Sequence, residues 1–323
     1  MTKPKILVSR RWPAAVEARL ADRFDVALNT GDAALTPAEF RQAFKDFDAV
    51  LPTVTDKIGS DALELSNPRT KLLANYGVGY THIDMPSANA HGMVVTNTPD
   101  VLSECTADLA MTLMLMAARR AGEGEREIRS DAWTGWRPTH LIGSKVSGKT
   151  LGIVGFGRIG QAMARRAHHG FGMKIIVHNR SRIAADVLAQ YGAVQADDLD
   201  DLLPRCDFVS LHCPGGAENR HLINARRLDL MRSGAFLINT ARGEVINECD
   251  LVQALAFETI GGAALDVFNN EPDIARCLRD SDRLVMLPHL GSATTETREA
   301  MGMRVLSNLE AYFDGQSPPD RVN

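Results

Sequence analysis

Short apolar runs alternate with amphipathic stretches along almost the whole chain. Four runs in the first hundred residues have the composition of buried strands: PKILVS, DAVLPT, TKLLANYG and MVVTNT. Six more follow from Thr150 onwards: TLGIVGF, MKIIVHN, DFVSLH, AFLINTA, GGAALDVF and RLVMLPH. Because strands that alternate with helices form parallel sheets covered by helices, the pattern predicts an α/β fold.

The helical stretches between these runs carry recognisable start signals. Thr36, Pro37 and Glu39 form one: a capping threonine, a proline at the first helical position and a glutamate three residues after the cap. The pattern also predicts a long helix from about Ser103 to Arg120, continued by a second, charged helix to Asp131. A last helix is expected over residues 294–314, before Gly and the Ser-Pro-Pro tail.

Length, composition and charge narrow the class of protein. At ~150 residues per domain, 323 residues suggest two domains. Hydrophobic residues make up 45% and charged residues 24%, as in ordinary globular proteins. The net charge of −4 offers no basic surface for nucleic acid. The longest apolar run, Leu109 to Ala118, is much shorter than the ~20 residues of a membrane span. We therefore expect neither nucleic acid nor membrane as a partner.

The cysteines and the first residues bear on location. Five cysteines are an odd number, and no two form a C-x-x-C pair, so reduced thiols are expected rather than a disulfide framework or a zinc site. No H-E-x-x-H spacing occurs either, and we predict no metal. The apolar triplet Ile6 to Val8 is too short for a signal peptide. A cytoplasmic protein is expected.

The segment LGIVGFGRIG contains the strongest local motif. Gly155, Gly157 and Gly160 form G-x-G-x-x-G directly after a strand and at the start of a helix. The first glycine permits a tight turn, the second lets the backbone approach a pyrophosphate, and the third lets helix pack on strand. Arg158 and Ile159 complete the predicted dinucleotide-binding segment, Arg158 as an added cation. The alternative is a glycine-rich turn that binds nothing, but the strand-turn-helix context favours the dinucleotide.

Asn179, Arg180, Ser181 and Arg182 occupy the position that selects the coenzyme. It lies about 20 residues beyond the third glycine, where an acidic residue would bind the ribose 2′-hydroxyl of NAD. Neutral donors and guanidinium groups stand here instead, and they would attract a 2′-phosphate that a carboxylate would repel. This favours NADP(H). Alternatively, the arginines are solvated loop charges and NAD(H) binds through Asn179 and the backbone.

Several longer motifs show a family resemblance over nearly the whole chain. In order, they are NYGVGYTHID, TADLAMTLML, WTGWRP, GKTLGIVGFGRIG, LHCPGGAENRHLIN, LINTARGEV, ALDVFNNEP and LPHLGSATTETR. The sequence resembles the D-isomer-specific 2-hydroxyacid dehydrogenases, and most closely their glyoxylate/hydroxypyruvate reductase branch. The resemblance implies an oxidoreductase that acts on the CH-OH group of its donors.

The resemblance also implies a catalytic set. It makes Arg242 of NTARG the substrate-binding cation, His289 of PHLGSAT the general acid/base, and Glu271 of NNEP its acidic partner. A guanidinium can hold a keto acid through charge-assisted hydrogen bonds of roughly 1.5–3 kcal/mol. A protonated imidazole can neutralise the charge that grows on the carbonyl oxygen, typically for ~10²–10⁴ in rate. Taken alone, the three would be a surface arginine, a loop glutamate and a core histidine.

Further site residues follow from the same resemblance. The turn around Val78 and Gly79 would offer backbone N–H groups to the substrate carboxylate, beside Arg242 and His289. The residues expected near the nicotinamide are Thr106, Thr240, Ala241 and Asp266, and those expected near the adenine are Cys213 and Pro214. Trp133 and Trp136 match a segment of the family from which an aromatic ring can reach the active site of a partner subunit. Trp136 would either limit substrate size in this way or be a rigid aromatic residue that anchors the loop or the dimer interface.

The implied architecture is two Rossmann-like domains with doubly wound parallel sheets and the active site in the cleft between them. Residues 1–98 and 291–323 would form the substrate-binding domain, and residues 99–290 the dinucleotide-binding domain. A homodimer is expected, with the apolar helix near Leu109 to Ala118 as a candidate interface element.

The expected reaction is NADPH-dependent reduction of a small 2-keto acid, glyoxylate or hydroxypyruvate, to the 2-hydroxy acid. Two alternatives stay open. The chain could reduce another 2-keto acid with NADH. It could also be a dinucleotide-sensing interaction protein, like the corepressors that share this fold.

Overall fold

Two separate parallel sheets form the framework of the computed structural model, which describes residues 3–323. The chain divides into two compact units. The first unit runs up to Leu102 and includes Ala293–Asn323, whereas the second is the continuous segment Ser103–Ser292. The α/β class with two parallel sheets, predicted from the alternating pattern, is confirmed.

The sheet of the first unit has five strands in the order β2-β1-β3-β4-β5. Their bounds are β1 Lys5–Val8, β2 Asp25–Leu28, β3 Ala49–Leu51, β4 Leu72–Ala74 and β5 Val94–Thr96. The helices of this unit are α1 Ala14–Arg23, α2 Pro37–Asp46, α3 Met85–Ala90 and α12 Thr295–Phe313. The predicted start of α2 is confirmed, since Thr36 accepts from the Glu39 N–H and the Glu39 carboxylate accepts from the Thr36 N–H.

The sheet of the second unit has seven strands in the order β12-β11-β10-β9-β6-β7-β8. Their bounds are β6 Thr150–Val154, β7 Lys174–His178, β8 Ala193–Gln195, β9 Phe208–Leu211, β10 Phe236–Asn239, β11 Gly262–Leu265 and β12 Leu284–Met286. The helices are α4 Ser103–Ala118, α5 Ala121–Arg129, α6 Arg158–Arg165, α7 Ala185–Ala189, α8 Leu199–Leu202, α9 Ala225–Leu230, α10 Glu248–Ala256 and α11 Arg276–Arg279. A π-helical turn, Arg166–Gly170, extends α6.

The sequence analysis did not predict two of the strands, β2 and β8. Each lies at the edge of its sheet, and neither contains a fully buried side chain. Because an edge strand is partly solvated, its sequence need not be a continuous apolar run. The prediction of six strands in the second series was therefore short by one.

Side chains alternate between the two faces of the second sheet. On β10, Phe236 and Ile238 pack into one core cluster, whereas Leu237 packs into the other. Truncating a buried side chain of this kind to alanine typically costs about 2–5 kcal/mol. Burial of apolar side chains therefore stabilises both faces of this sheet, as a doubly wound sheet requires.

The apolar helix α4 belongs to one of these clusters. Its buried residues include Ala110, Leu113 and Met114, and they pack with side chains of the second sheet and of α6. Arg120, at a φ of 53°, separates α4 from α5. Within the described part of the chain, no helix has the length and apolar character needed to cross a membrane.

Candidate functional site

The candidate residues of the second unit follow the carboxyl ends of six neighbouring parallel strands. Gly155 comes after β6, Asn179 after β7, Cys213 after β9, Thr240 after β10, Asp266 after β11 and His289 after β12. The chain leaves β6 towards β7 on one side and reaches β9 to β12 on the other, so the order reverses between β6 and β9. Open parallel sheets bind their ligands at this edge, outside such a reversal.

The turn after β6 requires glycine at two positions. Gly155 has a φ of 91°, and a Cβ there would lie 2.6 Å from the backbone nitrogen of Cys213. A Cβ on Gly160 would overlap the carbonyl oxygen of Gly155. The first residue therefore makes the turn and the third lets α6 pack against it, as the motif predicts.

Gly157 has a different environment. It is the N-cap of α6, no side chain caps the helix, and a Cβ built on it would meet no described atom within 4 Å. Helix N-terminal N–H groups that lack a capping side chain favour an anion. Arg158 and Ile159 are the first two residues of α6, and the Arg158 side chain is exposed. The turn thus fits a dinucleotide pyrophosphate.

Asn179 joins the end of β7 to the glycine turn. Its Oδ1 accepts a hydrogen bond of 3.2 Å from the Phe156 N–H, and its Nδ2 donates to both the carbonyl and the hydroxyl oxygen of Ser181. The Asn179 amide therefore shapes the loop that carries Arg180 and Arg182. Both arginines are exposed.

Arg180 pairs with a carboxylate that the sequence analysis missed. Its Nη1 lies 2.8 Å from Oε2 of Glu218, in the segment that follows β9, and the two side chains are 89% and 79% exposed. Glu218 is 38 residues away in the chain. No local sequence signal pointed to this pair.

Cys213 and Pro214 lie at the other side of the glycine turn. Burial raises the pKa of the Cys213 thiol to about 11, so the group is neutral at physiological pH. The carbonyl oxygen of Pro214 accepts a hydrogen bond of 2.9 Å from Asn219. Both residues border the turn, which suits a contact with the coenzyme.

Two hydrogen bonds of one buried asparagine fix the conformation of the segment after β10. Asn239 accepts from the Ala241 N–H at 2.9 Å and donates to the Arg242 carbonyl oxygen at 2.9 Å. The Thr240 hydroxyl is buried and has no hydrogen-bond partner among the described residues. Since buried hydroxyl groups are normally hydrogen-bonded, Thr240 fits a residue that contacts a bound coenzyme. The sequence analysis did not single out Asn239. The feature that could have identified it is an asparagine at the end of an apolar run.

Arg242 carries its charge in a poorly solvated position. Burial lowers the pKa of its guanidinium, while the carboxylates of Glu271 and Glu244 act in the opposite direction. Its Nη1 donates to the carbonyl oxygen of Ala241 at 2.6 Å. Glu244, which the sequence analysis missed, also accepts from the Gly216 N–H at 2.6 Å. A guanidinium held this way favours an anionic ligand.

Glu271 and His289 form a direct pair. Oε2 of Glu271 lies 2.7 Å from Nδ1 of His289, and Oε1 accepts from the Phe268 N–H at 2.8 Å. Burial raises the pKa of Glu271, but the hydrogen bond and charge of His289, the Phe268 N–H and Arg242 outweigh it, and the pKa is lowered overall. Glu271 is therefore ionised and fixes one ring nitrogen of His289.

The backbone of His289 is unusual. Its φ of 56° lies in the left-handed region, which costs a residue with a Cβ of order 1 kcal/mol or more. Asp266 holds this turn: its carboxylate accepts from Leu290 at 2.7 Å and Gly291 at 2.8 Å. Thr106 donates to the Gly291 carbonyl oxygen at 3.0 Å. Thr106 and Asp266 thus lie beside the candidate acid/base.

The turn around Val78 belongs to the first unit. Asn75 donates to the carbonyl oxygens of Gly77 and Gly79, and Asn97 donates to that of Val78 at 2.9 Å. No described residue accepts from the N–H of Val78 or Gly79. These two donors are thus available to an anion.

Trp133 and Trp136 lie in the loop after α5. Trp136 is 82% exposed, Ile142 65% and Trp133 50%. Ile128, on α5, is also exposed. The loop therefore presents several apolar side chains to solvent.

Comparison with known proteins shows the family of the chain. The family model "D-isomer specific 2-hydroxyacid dehydrogenase, NAD binding domain" matches residues 111–291. A glyoxylate reductase of Thermococcus litoralis is 42% identical, with 99% of this chain and 97% of the relative covered. A glycerate dehydrogenase of Hyphomicrobium methylovorum is 38% identical, with 98% of each chain covered.

A solved structure also resembles the whole chain. It is an NADPH-dependent glyoxylate/hydroxypyruvate reductase of Sinorhizobium meliloti in complex with NADP and malonate. The TM-score is 0.86 at 34% identity, and 99% of this chain and 97% of the other are covered. The family model, the full-length relatives and the fold agree, and the chain belongs to the D-isomer-specific 2-hydroxyacid dehydrogenases.

Proposed function

We propose that this protein reduces small 2-keto acids, glyoxylate and hydroxypyruvate, to glycolate and D-glycerate, with NADPH as the preferred coenzyme. The observation that carries the proposal is the Glu271–His289 pair, 2.7 Å apart, near the buried guanidinium of Arg242. An oriented acid/base beside a fixed cation suits the reduction of a carbonyl group that carries a carboxylate. The names of the relatives support the same substrate class.

The residues that would hold the coenzyme line the carboxyl edge of the second sheet. Gly157 and the N-terminus of α6 would receive the pyrophosphate. The Thr240 hydroxyl would gain a partner on binding, beside Ala241, Thr106 and Asp266. A bound reduced nicotinamide supplies the hydride that reaches the carbonyl carbon.

His289 would supply the proton. Because Nδ1 faces Glu271, Nε2 is the ring nitrogen left to meet the substrate. As negative charge develops on the carbonyl oxygen, the Nε2 proton moves to it. The neutral ring keeps its proton on Nδ1, which still donates a hydrogen bond to Glu271. Ionised Glu271 accepts from Nδ1 and so preserves the orientation of the ring through the step.

Arg242 and the turn of the first unit would bind the acid. The guanidinium holds and polarises the keto acid through charge-assisted hydrogen bonds, each worth roughly 1.5–3 kcal/mol. The N–H groups of Val78 and Gly79 bind the substrate carboxylate. A cation and N–H donors of this kind each favour a 2-keto acid over an uncharged carbonyl compound.

The loop after β7 would bind the 2′-phosphate of NADPH. Arg180, Arg182 and the side chains of Asn179 and Ser181 offer cations and neutral donors there. The Sinorhizobium meliloti relative was solved with NADP. Glu218 opposes this preference, because its carboxylate already pairs with Arg180 and would repel a phosphate.

The protein would act as a homodimer. The support is the number of exposed apolar side chains on α5 and the loop after it: Ile128, Trp133, Trp136 and Ile142. A second copy of the chain would cover these side chains. Light scattering tests this: Trp136→Ser should weaken the dimer, whereas Phe257→Ser, at another exposed aromatic residue, should not.

The decisive experiment measures the initial rate of coenzyme oxidation from the absorbance of reduced nicotinamide. Glyoxylate, hydroxypyruvate and pyruvate are each assayed with NADPH and with NADH. The proposal expects turnover of the first two, faster with NADPH. Higher rates with NADH would overturn the coenzyme preference. Coenzyme binding without turnover of any keto acid would favour a dinucleotide-sensing protein.

A matched pair of variants tests the role of His289. His140 also lies 2.7 Å from a glutamate, Glu127, in the same unit. His289→Asn should lower kcat by about 10²-fold or more, whereas His140→Asn should leave it within about twofold. Equal losses in both variants would contradict the assignment of His289 as the acid.

A further inference from the structure

In the turn of residues 77–79, the direction of each carbonyl group determines where the next backbone N–H group points. In a planar trans peptide, the C=O of one residue and the N–H of the next point in opposite directions. The Gly77 carbonyl thus sets the direction of the Val78 N–H, and the Val78 carbonyl sets that of the Gly79 N–H. Any residue that holds these oxygens aims the N–H donors.

Asn97 holds the second of the two oxygens. Its Nδ2 donates to the Val78 carbonyl oxygen at 2.9 Å. The neighbouring Thr98 N–H donates to the Gly77 carbonyl oxygen at 3.1 Å, together with the side chain of Asn75. The segment directly after β5 therefore fixes both peptide planes of the turn.

Asn97 is in turn held by the C-terminal part of the chain. Its backbone N–H donates to the Asp320 carbonyl oxygen at 3.2 Å, and its carbonyl oxygen accepts from Asn308 at 3.4 Å. Asn308, on α12, is fully buried and exchanges hydrogen bonds with Asp320 in both directions, at 2.9 and 3.0 Å.

Asp320 anchors this arrangement. Its side chain is only 3% exposed, and both carboxylate oxygens accept from Arg304, at 2.6 and 2.7 Å. A buried carboxylate with a bidentate arginine and an amide donor has little freedom. Beyond it, Val322 donates to the Val95 carbonyl oxygen at 2.9 Å, which docks the end of the chain on β5.

We infer that Asn97 is a positioning residue for the substrate carboxylate, and that Asp320 and Asn308 act through it. The hydrogen-bond chain Asp320–Asn308–Asn97–Val78 aims the Gly79 N–H, so the C-terminal segment sets the affinity for the keto acid. The inference rests on the proposed function, because it takes the N–H groups of Val78 and Gly79 as the carboxylate donors.

The test uses the variants Asn97→Ala, Asp320→Asn and their combination in the full-length protein. The matched control is Asn29→Ala, which likewise removes a side-chain amide of the first unit that donates to backbone carbonyl groups. In Asn29 these are the carbonyl oxygens of Ser9 and Ala33. The readouts are kcat and KM for glyoxylate, the inhibition constant of malonate, the Kd of NADPH and the Tm.

Asn97→Ala should raise KM and the malonate constant by about tenfold with a small change in kcat, because a carboxylate contact serves ground and transition states alike. The Kd of NADPH should stay within about twofold. Asp320→Asn should act in the same direction, and the double variant should be no worse than Asn97→Ala, since the residues belong to one chain of contacts.

Three results would overturn the inference in an active wild type. They are an unchanged KM and malonate constant in Asn97→Ala, an equal rise in Asn29→Ala, or full additivity in the double variant. If Asp320→Asn does not fold, the Asn97 and Asn29 variants decide alone. A wild type that neither reduces a keto acid nor binds malonate would instead overturn the proposed function itself.

Discussion

Gly243 lies against the backbone of Phe268 so closely that a Cβ on the glycine would overlap the Phe268 carbonyl group. Gly243 directly follows Arg242, and Phe268 donates its N–H to Glu271. The contact therefore joins the segment that carries the candidate substrate cation to the segment that carries the partner of His289. Only a residue without a side chain permits this approach.

We expect Gly243→Ala to displace Arg242 relative to Glu271. A shift of about 1 Å in a positioned group can cost about 10²-fold in rate, so kcat/KM should fall by about that factor. Steady-state kinetics measure it. The control is Gly234→Ala, since a Cβ there meets no atom of residues 3–323 within 4 Å and the backbone is not left-handed. Equal kinetics in both variants would contradict the structural argument.

Glu271→Gln should reduce catalysis without abolishing coenzyme binding. The amide can still accept from Nδ1 of His289, but it carries no negative charge opposite the ring. We expect kcat near neutral pH to fall by about ten- to a hundredfold, with the Kd of NADPH within about twofold of the wild type. An unchanged kcat in Glu271→Gln would show that the charge of Glu271 is not used.

The same substitution should change stability in acid. Because the pKa of Glu271 is lowered in the folded protein, its ionised form stabilises the fold at neutral pH, and this contribution is lost as pH falls through the lowered pKa. Wild type should therefore lose more Tm than Glu271→Gln as the pH falls from about 6 to about 3. Parallel Tm curves for the two proteins would contradict this.

Gly157→Ala should separate coenzyme binding from folding. Its backbone, at φ −75°, suits alanine, and a Cβ would meet no atom of the described residues within 4 Å. The Tm should be unchanged, whereas the Kd of NADPH should rise at least about tenfold, because the methyl group would fill the approach to the pyrophosphate. Gly170→Ala, at another unobstructed position, is the control. Unchanged coenzyme binding would remove Gly157 from the site.

Arg180 and Glu218 should tune the coenzyme preference in opposite directions. Arg180→Ala should lower the NADPH-to-NADH ratio of kcat/KM by about tenfold, the value of one charge-assisted contact. Glu218→Gln should raise that ratio by a few-fold, since exposed ion pairs are worth only about 0–1 kcal/mol. Arg276→Ala, at an equally exposed and paired arginine, should leave it unchanged. A higher ratio in Arg180→Ala would contradict the role of the loop.

The inner strands and the glycine turn were accessible from the sequence because their signals are local. An apolar run such as that of β10 reflects burial on both faces, and the spacing of Gly155, Gly157 and Gly160 reflects one turn and one helix start. The edge strands β2 and β8 lacked such a signal, since solvent covers part of each.

The sequence by itself determined the α/β class, the glycine turn after β6 and, through ordered motifs, the family. The tertiary structure alone decided that Arg180 meets Glu218 across 38 residues and that the backbone N–H of Asn97 donates to the carbonyl oxygen of Asp320. It also supplied the contact within the Glu271–His289 pair that the resemblance had implied. Spacing along the chain carries information about neighbours within one element. Contacts between strand ends depend on the order of strands in the sheet, which residues within a single element do not encode.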